Sequence, residues 1–498
     1  MTRVITIDPI TRLEGHGKIS IFLDDQGEVE RALLQVPELR GFEAFCLGRP
    51  AEEMPQITSR ICGVCPTAHH MAATKTLDDL YGVQPTPTAR AIRELFYSLF
   101  TFEDHALHYF FLGGPDFIVG PDAPAAQRNV LGVIEKAGVE VGKRVIATRK
   151  AARELMKEMG GKAVHPVLGL PGGVAKGVSE DLRKRVVEFG AQAVQFALFS
   201  LKTFDDMVLA NQAYLDIIRS DTYFDETHYL GMVDENNKVN LYDGKLRVVD
   251  PSGRQTELFE PSVYTEVIAE QVESWSYIKF PYLKKVGWKG FKAGADSGVV
   301  RVAPLARLNA AEGMATPAAQ EHYQRMYDTL GGKPVHHTLA LHWARLVELL
   351  YAAERIAELG KAEELTSPDL RNLELGTPRQ GVGAVEAPRG TLIHHYQTDQ
   401  NGVLVSCNLL VATLFNSAPI CISIEKAARK LIHKGEVADG LLNRVEMAFR
   451  AYDPCLSCAT HALPGKMPLE ICLVGSGGEE RGKLIRDSDG RERISWKG

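Results

Sequence analysis

The sequence lacks the features that would direct it to a membrane, a nucleic acid or an oxidising compartment. Its most apolar helix candidate, Ala91 to Leu112, is interrupted by Arg93, Glu94, Glu103 and Asp104, so it reads as a buried core helix and direct membrane insertion is not expected. The start, Met-Thr-Arg-Val-Ile-Thr-Ile-Asp-Pro, has no basic segment followed by an apolar stretch and a cleavage site. A secretory leader is therefore not expected, and a cytoplasmic location is. A formal net charge of -6 and a pI near 6.2 leave no basic stripe, which argues against nucleic acid as a partner. No Ser/Gly-rich or Pro-rich linker, internal repeat or low-complexity segment divides the 498 residues. Eight cysteines in so long a chain make no disulfide framework.

What is present is ordinary globular material, 45% hydrophobic and 24% charged, with enough of both for one large buried core. Two β-like runs, Lys18 to Leu23 and Glu28 to Val36, flank an Asp/Gly turn and predict an N-terminal β-hairpin within residues 1–40. Apolar residues at three- and four-residue spacing predict long helices from Thr86 to Leu112, Glu135 to Met159 and Ser179 to Ser220. Short alternating stretches with Asp-Gly and Ser-Gly turns predict an inserted β-meander at about 228–265. Further helices are expected at 316–330, 336–362, 422–434 and 437–450. A Gly/Pro-rich stretch from Gly376 to Gly390 precedes a strand-like run to Val411. The expected fold is mainly α, a bundle of long helices with peripheral β-structure, and residues 1–461 are read as a single unit.

Four cysteines, Cys46, Cys407, Cys421 and Cys472, are isolated and read as plain core residues. The other four form two C-x-x-C pairs, Arg60-Ile-Cys62-Gly-Val-Cys65-Pro-Thr-Ala-His69 and Asp453-Pro-Cys455-Leu-Ser-Cys458-Ala-Thr-His461. Two cysteines three apart can turn both sulfurs to one ion, and each pair is followed by a histidine. Pro66 suits the first turn of a helix, which would put Cys65 at a helix N-terminus where the dipole favours a thiolate. A structural Cys-four zinc site or a redox dithiol uses the same residues. Zinc ribbons place their pairs about 15 to 20 residues apart, whereas 390 positions separate Cys65 from Cys455. A site closed by the whole fold is the better reading, and soft thiolates suit transition metals.

These motifs resemble those of the large subunit of nickel–iron hydrogenases, R-x-C-G-x-C near one end and D-P-C-x-x-C near the other. Arg12-Leu-Glu14-Gly-His16, Arg40-Gly-Phe-Glu43, Asp104-His105 with His108, and Glu386-Ala-Pro388-Arg389-Gly-Thr-Leu-Ile-His394 agree as well, so the resemblance spans nearly the whole chain. It implies that fold, and reversible oxidation of dihydrogen to protons and electrons. It also implies that Cys62 and Cys455 are terminal nickel ligands, while Cys65 and Cys458 bridge nickel to an iron carrying cyanide and carbon monoxide. Glu43, His461 and a main-chain carbonyl near Leu409 would hold magnesium. Cys455 would pass a proton to Glu14, and Pro388 and Arg389 would line the cofactor. Asp104 and Asp453 would orient Arg389, and His69 would hydrogen-bond Cys65.

Each of these residues has a plainer reading. Glu14 alone is a surface carboxylate, Arg389 an exposed arginine after a proline turn, and His69 a satisfied core histidine. Asp104 stands apart, because a carboxylate between Phe102 and Phe110 is costly to bury without a cation beside it. A related quinone-oxidoreductase subunit shares the implied fold but lacks the paired cysteines. Gly477 to Lys483 has phosphate-loop spacing but Leu484 where Ser or Thr is needed, and Gly381 to Glu386 fails the dinucleotide fingerprint. No nucleotide is expected on this chain. The histidines His336 and His337 read as a surface feature at a helix entry. No cysteine group for an iron–sulfur centre remains, so electrons need a separate iron–sulfur small subunit. The forms Cys-Ala-Thr-His-Ala and Arg-Gly-Thr-Leu-Ile-His-His resemble soluble cytoplasmic hydrogenases that serve diaphorase or heterodisulfide-reductase modules. Residues 462–498 resemble an extension that a maturation endopeptidase removes after His461.

Overall fold

A computed structural model of the chain describes residues 3–460, 469–475, 479–486 and 491–496. Helix dominates, as the sequence predicts, and the sheets are small, but they are not all peripheral: His228–Val233 and most of Gln380–Ala387 and Gly390–Thr398 are buried. The centre is a bundle of three long helices, in which Leu341–Leu359 packs on both Glu180–Phe204 and Pro87–Leu107. Local chemistry starts two of them. The Thr86 hydroxyl accepts from the Ala89 amide ahead of Pro87, and the Ser179 hydroxyl accepts from the Leu182 amide. No helix among the described residues is long and apolar enough to cross a membrane.

Several helices are interrupted where periodicity alone reads them as continuous. The first long helix ends in a π-helical segment, His108–Gly113. The second is two helices, Val130–Ala137 and Val139–Gly160, hinged at Gly138 with φ 97°. The third passes through a π-helical turn, Asp205–Leu209, before the separate helix Gln212–Arg219, whose cap is Asn211. The helix expected at 422–434 begins earlier, at Ala412, and carries Pro419 inside it.

The N-terminal hairpin is the inner part of a three-stranded antiparallel sheet, Arg3–Ile7, Lys18–Leu23 and Val29–Gln35. The meander is His228–Val233, Lys245–Val249 and Gln255–Phe259, with the short strand Val300–Arg301 added in parallel to its first strand. A further hairpin, Ile268–Val272 with Lys279–Leu283, carries no strong sequence signal. Most of the Gly/Pro-rich stretch is strand: after an irregular 376–379, Gln380–Ala387 is the first strand of an antiparallel sheet with Gly390–Thr398 and Leu404–Leu410. Its glycines are there for close approach. A Cβ on Gly381 would lie 2.4 Å from the Thr76 carbonyl oxygen, and one on Gly383 2.4 Å from the Thr76 nitrogen, because the helix Pro66–Leu80 lies directly on this strand.

Two expectations about single residues are corrected. Cys472 is exposed on the strand Leu469–Val474 rather than buried in a core. His336 is buried against Tyr229, its Nδ1 2.5 Å from the phenol oxygen, so this histidine is a packed internal residue and not a surface feature. Residues 480–486 form a strand, where a phosphate loop would require a helix.

A buried ion network fixes the hairpin that matters most for the site. Arg307 lies between two carboxylates, with Nη2 2.5 Å and Nε 2.7 Å from Glu348 and Nη1 2.9 Å from Glu386, and it donates to the carbonyls of Ala387 and Pro388. All three charged side chains are fully buried. Burial alone would raise the Glu348 carboxyl, but Arg307 and His105 hold it down at about 2. Replacing Arg307 by Met leaves two carboxylates without their counter-charge, and a loss of about 3–5 kcal/mol is expected in denaturant unfolding. Because the folded-state value of Glu348 is depressed, its stabilisation is complete above the ordinary 4.5 and is lost as pH falls toward about 2. Glu348→Gln removes that part of the acid limb in a stability-versus-pH series.

Candidate metal centre

The four cysteines of the two pairs meet. Cys62, Cys65, Cys455 and Cys458 are all buried, and their sulfurs lie within 4.8 Å of one another. Cys65 Sγ is 3.2 Å from Cys458 and 3.8 Å from Cys455, and Cys455 Sγ is 3.3 Å from Cys62. The first pair straddles the start of Pro66–Leu80, with Cys65 as its N-cap and Pro66 in its first turn. The amides of Val64 and Cys65 both point at Cys62 Sγ, at 3.2 Å each. The second pair follows a turn in which Asp453 holds φ 56°, a left-handed conformation that Asp tolerates better than most residues. The N-terminal segment docks on that turn: the Leu456 amide donates to the Glu14 carbonyl at 3.0 Å.

Electrostatics makes this cluster a cation site. Burial pushes the thiols of Cys455 and Cys458 well above the usual 9. Hydrogen bonds with Cys455 and Cys458 pull Cys65 down, yet Cys62 and burial carry it to about 11. Cys62 alone, against the effect of its burial, is held well below 9 by hydrogen bonds from the other three sulfurs and by Arg389. Four thiols at this spacing resist ionising together, and a bound cation relieves that cost. The donor set, all sulfur, fits nickel and iron and equally a tetrahedral zinc.

Charged and polar groups crowd round the sulfurs. Glu14 is half-buried, and its Oε2 accepts from the Cys455 thiol and the Ser457 amide, both at 3.0 Å. Burial, with the negative Cys62 sulfur, raises its carboxyl above the ordinary range. Arg389 is buried at the turn between the strands Gln380–Ala387 and Gly390–Thr398, where Pro388 fixes its own φ. Gly390 is required after it, because its φ is 130° and a Cβ would lie 2.7 Å from the Ala303 nitrogen. The Arg389 guanidinium donates to Asp104 Oδ2 at 3.3 Å and to Asp453 Oδ1 at 3.1 Å. Burial would lower it, but those carboxylates and the sulfurs keep it a cation. The cation that Asp104 needs is thus Arg389. Beside Cys65 and Cys458 lies a small pocket lined by Ala68, Ala387, Leu392 and Val411, with Arg389 over it.

The structure brings together the four cysteines, Glu14, His69, Arg389, Asp104 and Asp453, and differs from expectation in one detail. The sulfur facing His69 Nε2, at 3.4 Å, is that of Cys458 and not Cys65, because the ring reaches across from its own helix to the second pair. Glu43 accepts from the Leu409 amide at 2.7 Å, which sets Leu409 beside it. Lys279 also donates to Glu43, at 3.2 Å. The Thr460 carbonyl accepts from the amides of Arg40 at 2.9 Å and Gly41 at 3.0 Å, which ties the end of the second cysteine segment to the turn carrying Glu43. His461 lies outside the described residues.

Sequence reasoning missed Arg345, buried on Leu341–Leu359 and donating to the Ala451 carbonyl at 3.2 Å. Burial lowers this guanidinium to about 10 against the attraction of Asp453. Burial also carries Asp453 up to about 7, against Arg389 and Arg345. An arginine inside an apolar helix stretch, Trp343 to Leu350, was the signal that could have found it. It missed Lys279 as well, which sits in an unremarkable strand.

Comparison with known proteins agrees with this geometry. The profile described as nickel-dependent hydrogenase matches residues 40–130 and 144–461, and one described as HoxL-like matches residues 4–39. The chain is 50% identical over 477 residues to the iron-sulfur subunit of the F420-non-reducing hydrogenase of Archaeoglobus profundus, covering 95% of this chain and 98% of that one. It is 40% identical over 500 residues to the NAD-reducing hydrogenase HoxS subunit beta of Cupriavidus necator, covering 96% and 98%. Among solved structures, an NAD+-reducing [NiFe]-hydrogenase in the H2-reduced state superposes with a TM-score of 0.86 at 38% identity, over 92% of this chain and all of that one. The Ni-Fe-Se hydrogenase of Desulfovibrio vulgaris Hildenborough, at 23% identity and a TM-score of 0.73 over 93% of this chain and 100% of that one, shares the fold. With its sulfurs gathered at one point and its sequence matched along nearly its whole length, the chain belongs to the nickel-dependent hydrogenase family, as the large subunit of a nickel–iron enzyme that oxidises dihydrogen.

Proposed function

We propose that this subunit oxidises dihydrogen reversibly at a nickel–iron centre held by its four thiolates, and that the electrons leave through an iron–sulfur small subunit to a soluble acceptor system. The observation that carries the reading is one constellation: four buried sulfurs within 4.8 Å, a carboxyl 3.0 Å from one of them, and a buried guanidinium alongside. Cys62 and Cys455 would hold nickel, Cys65 and Cys458 would hold nickel and iron together, and the pocket lined by Ala68, Ala387, Arg389, Leu392 and Val411 would face the iron's cyanide and carbon monoxide. When bound, that centre supplies the uneven splitting of dihydrogen. Removing the proton falls to the protein.

Cys455 Sγ takes the proton and Glu14 removes it along the 3.0 Å contact between them. A carboxyl raised toward the working pH loses less driving force in accepting from a thiol than an ordinary one would. Its partial exposure gives the proton a way outward. Arg389, fixed by Asp104 and Asp453, is a permanent positive charge that cannot itself drain the proton away. Magnesium would lie between Glu43 and His461, near Leu409, and Lys279 would share that carboxylate. Residues 1–461 would be the mature unit in the cytoplasm, with 462–498 removed by an endopeptidase after metal loading. One relative is named as NAD-reducing, which supports an acceptor module of diaphorase type; a heterodisulfide-reductase module is the alternative.

Metal analysis of the anaerobically purified protein should return nickel and iron in roughly equal amounts, with infrared bands from iron-bound cyanide and carbon monoxide. Zinc alone, without those bands, would identify a structural Cys-four site instead. Glu14→Gln should keep both metals and lose dihydrogen/deuterium exchange, and exchange at the wild-type rate would remove Glu14 from the proton path.

A further inference from the structure

The histidine that faces the cluster is itself the end of a longer chain of side chains. His69 Nδ1 lies 3.2 Å from His394 Nε2, and His394 Nδ1 lies 2.6 Å from the Tyr396 hydroxyl. His69, His394 and Tyr396 are all buried, at 1%, 0% and 0% exposure. Residues 394 and 396 alternate onto one face of the strand Gly390–Thr398, the face against the helix Pro66–Leu80 that carries His69. Thr76 on that helix donates to the His394 carbonyl at 3.3 Å, which locks strand to helix at this point.

Hydrogen-bond accounting gives the row a direction. A neutral imidazole has one N–H and one lone pair, so one of the two rings donates to the other. Burial holds the Tyr396 phenol far above its usual range, so it keeps its proton and can donate. If Tyr396 donates to His394 Nδ1, then His394 Nε2–H donates to His69 Nδ1, and His69 turns its Nε2–H to Cys458 Sγ. The reversed order would aim a ring lone pair at a sulfur that carries negative charge when it binds metal, which is repulsive.

We propose that His394 and Tyr396 are positioning residues that fix His69 in its Nε2–H tautomer, so that a hydrogen bond is always donated to Cys458 Sγ. The inference rests on the reading of Cys458 as a metal-bound thiolate. A hydrogen bond to a ligand sulfur draws electron density from it and tunes the metal it binds. Tyr396 acts through two rings and touches no reacting atom.

The test is infrared spectroscopy of the metal-loaded holoenzyme. Tyr396→Phe removes the donor to His394 Nδ1 and leaves the charge on Cys458 as the remaining bias on the tautomers, so Cys458 loses its donor in part of the population and becomes more electron-rich. The carbon monoxide band should move to lower wavenumber or split toward it. His394→Gln offers an amide N–H at the place of Nε2 whatever stands at position 396. The double variant Tyr396→Phe with His394→Gln should therefore return the band to its wild-type position, whereas His394→Leu, with no donor, should shift it. A Tyr396→Phe band at the wild-type position in fully loaded protein overturns the proposal, as does a double variant shifted as far as the single one. Where Tyr396→Phe loads no metal, His394→Leu against His394→Gln decides: different positions support the relay and equal positions overturn it. Absence of cyanide and carbon monoxide bands from the wild-type protein would sink the nickel–iron reading itself, which is a distinct outcome.

Discussion

The structure turns on the mutual repulsion of four buried sulfurs. Brought within 4.8 Å of one another, they resist ionising together, and a bound cation relieves that resistance. Metal binding would therefore release protons and add folding free energy at the same time, because its ligands come from segments far apart in the chain. The parallel contact of Glu14 with Cys455, and the bonds of Arg40 and Gly41 to Thr460, close the chain on itself around that point.

Round the sulfurs the protein keeps its charges dry and paired. Arg389 and Arg345 face Asp104 and Asp453, and Arg307 faces Glu348 and Glu386. Such pairs contribute little net stability over an apolar core, since desolvation offsets most of their attraction. What they supply is position. Arg307 holds the Ala387 and Pro388 carbonyls from one side of the hairpin, and the two aspartates hold Arg389 from the other. The guanidinium thus has little freedom to move relative to the cluster.

The chemistry was more legible in the sequence than the architecture was. Cys62, Cys65, Cys455 and Cys458 could be read because two cysteines three apart mean little else once a disulfide framework is excluded. Asp104 could be read because an unpaired carboxylate on an apolar helix demands a partner, although its identity needed the fold. Helix interruptions at His108–Gly113 and Asp205–Leu209 leave apolar periodicity almost unchanged, so composition hides them. The strand Gln380–Ala387 was masked by the glycines that let the Pro66–Leu80 helix lie against it, since glycine signals a loop when packing is unseen. The row from His69 to Tyr396 joins two elements more than 300 residues apart, a separation that no local pattern spans.

The wide spacing of the two dithiol segments also sets an order of events during synthesis. Cys65 leaves the ribosome 390 residues ahead of Cys455, a delay of about 20 to 80 s at ordinary elongation rates. Throughout that interval the first pair exists without the second, and for most of it the helix Pro66–Leu80 also lacks its strand partner Gln380–Ala387. The nascent polypeptide thus presents a two-sulfur half-site for tens of seconds before the tetrathiolate can form, and an ion captured early meets a different coordination sphere from the one that the finished protein offers.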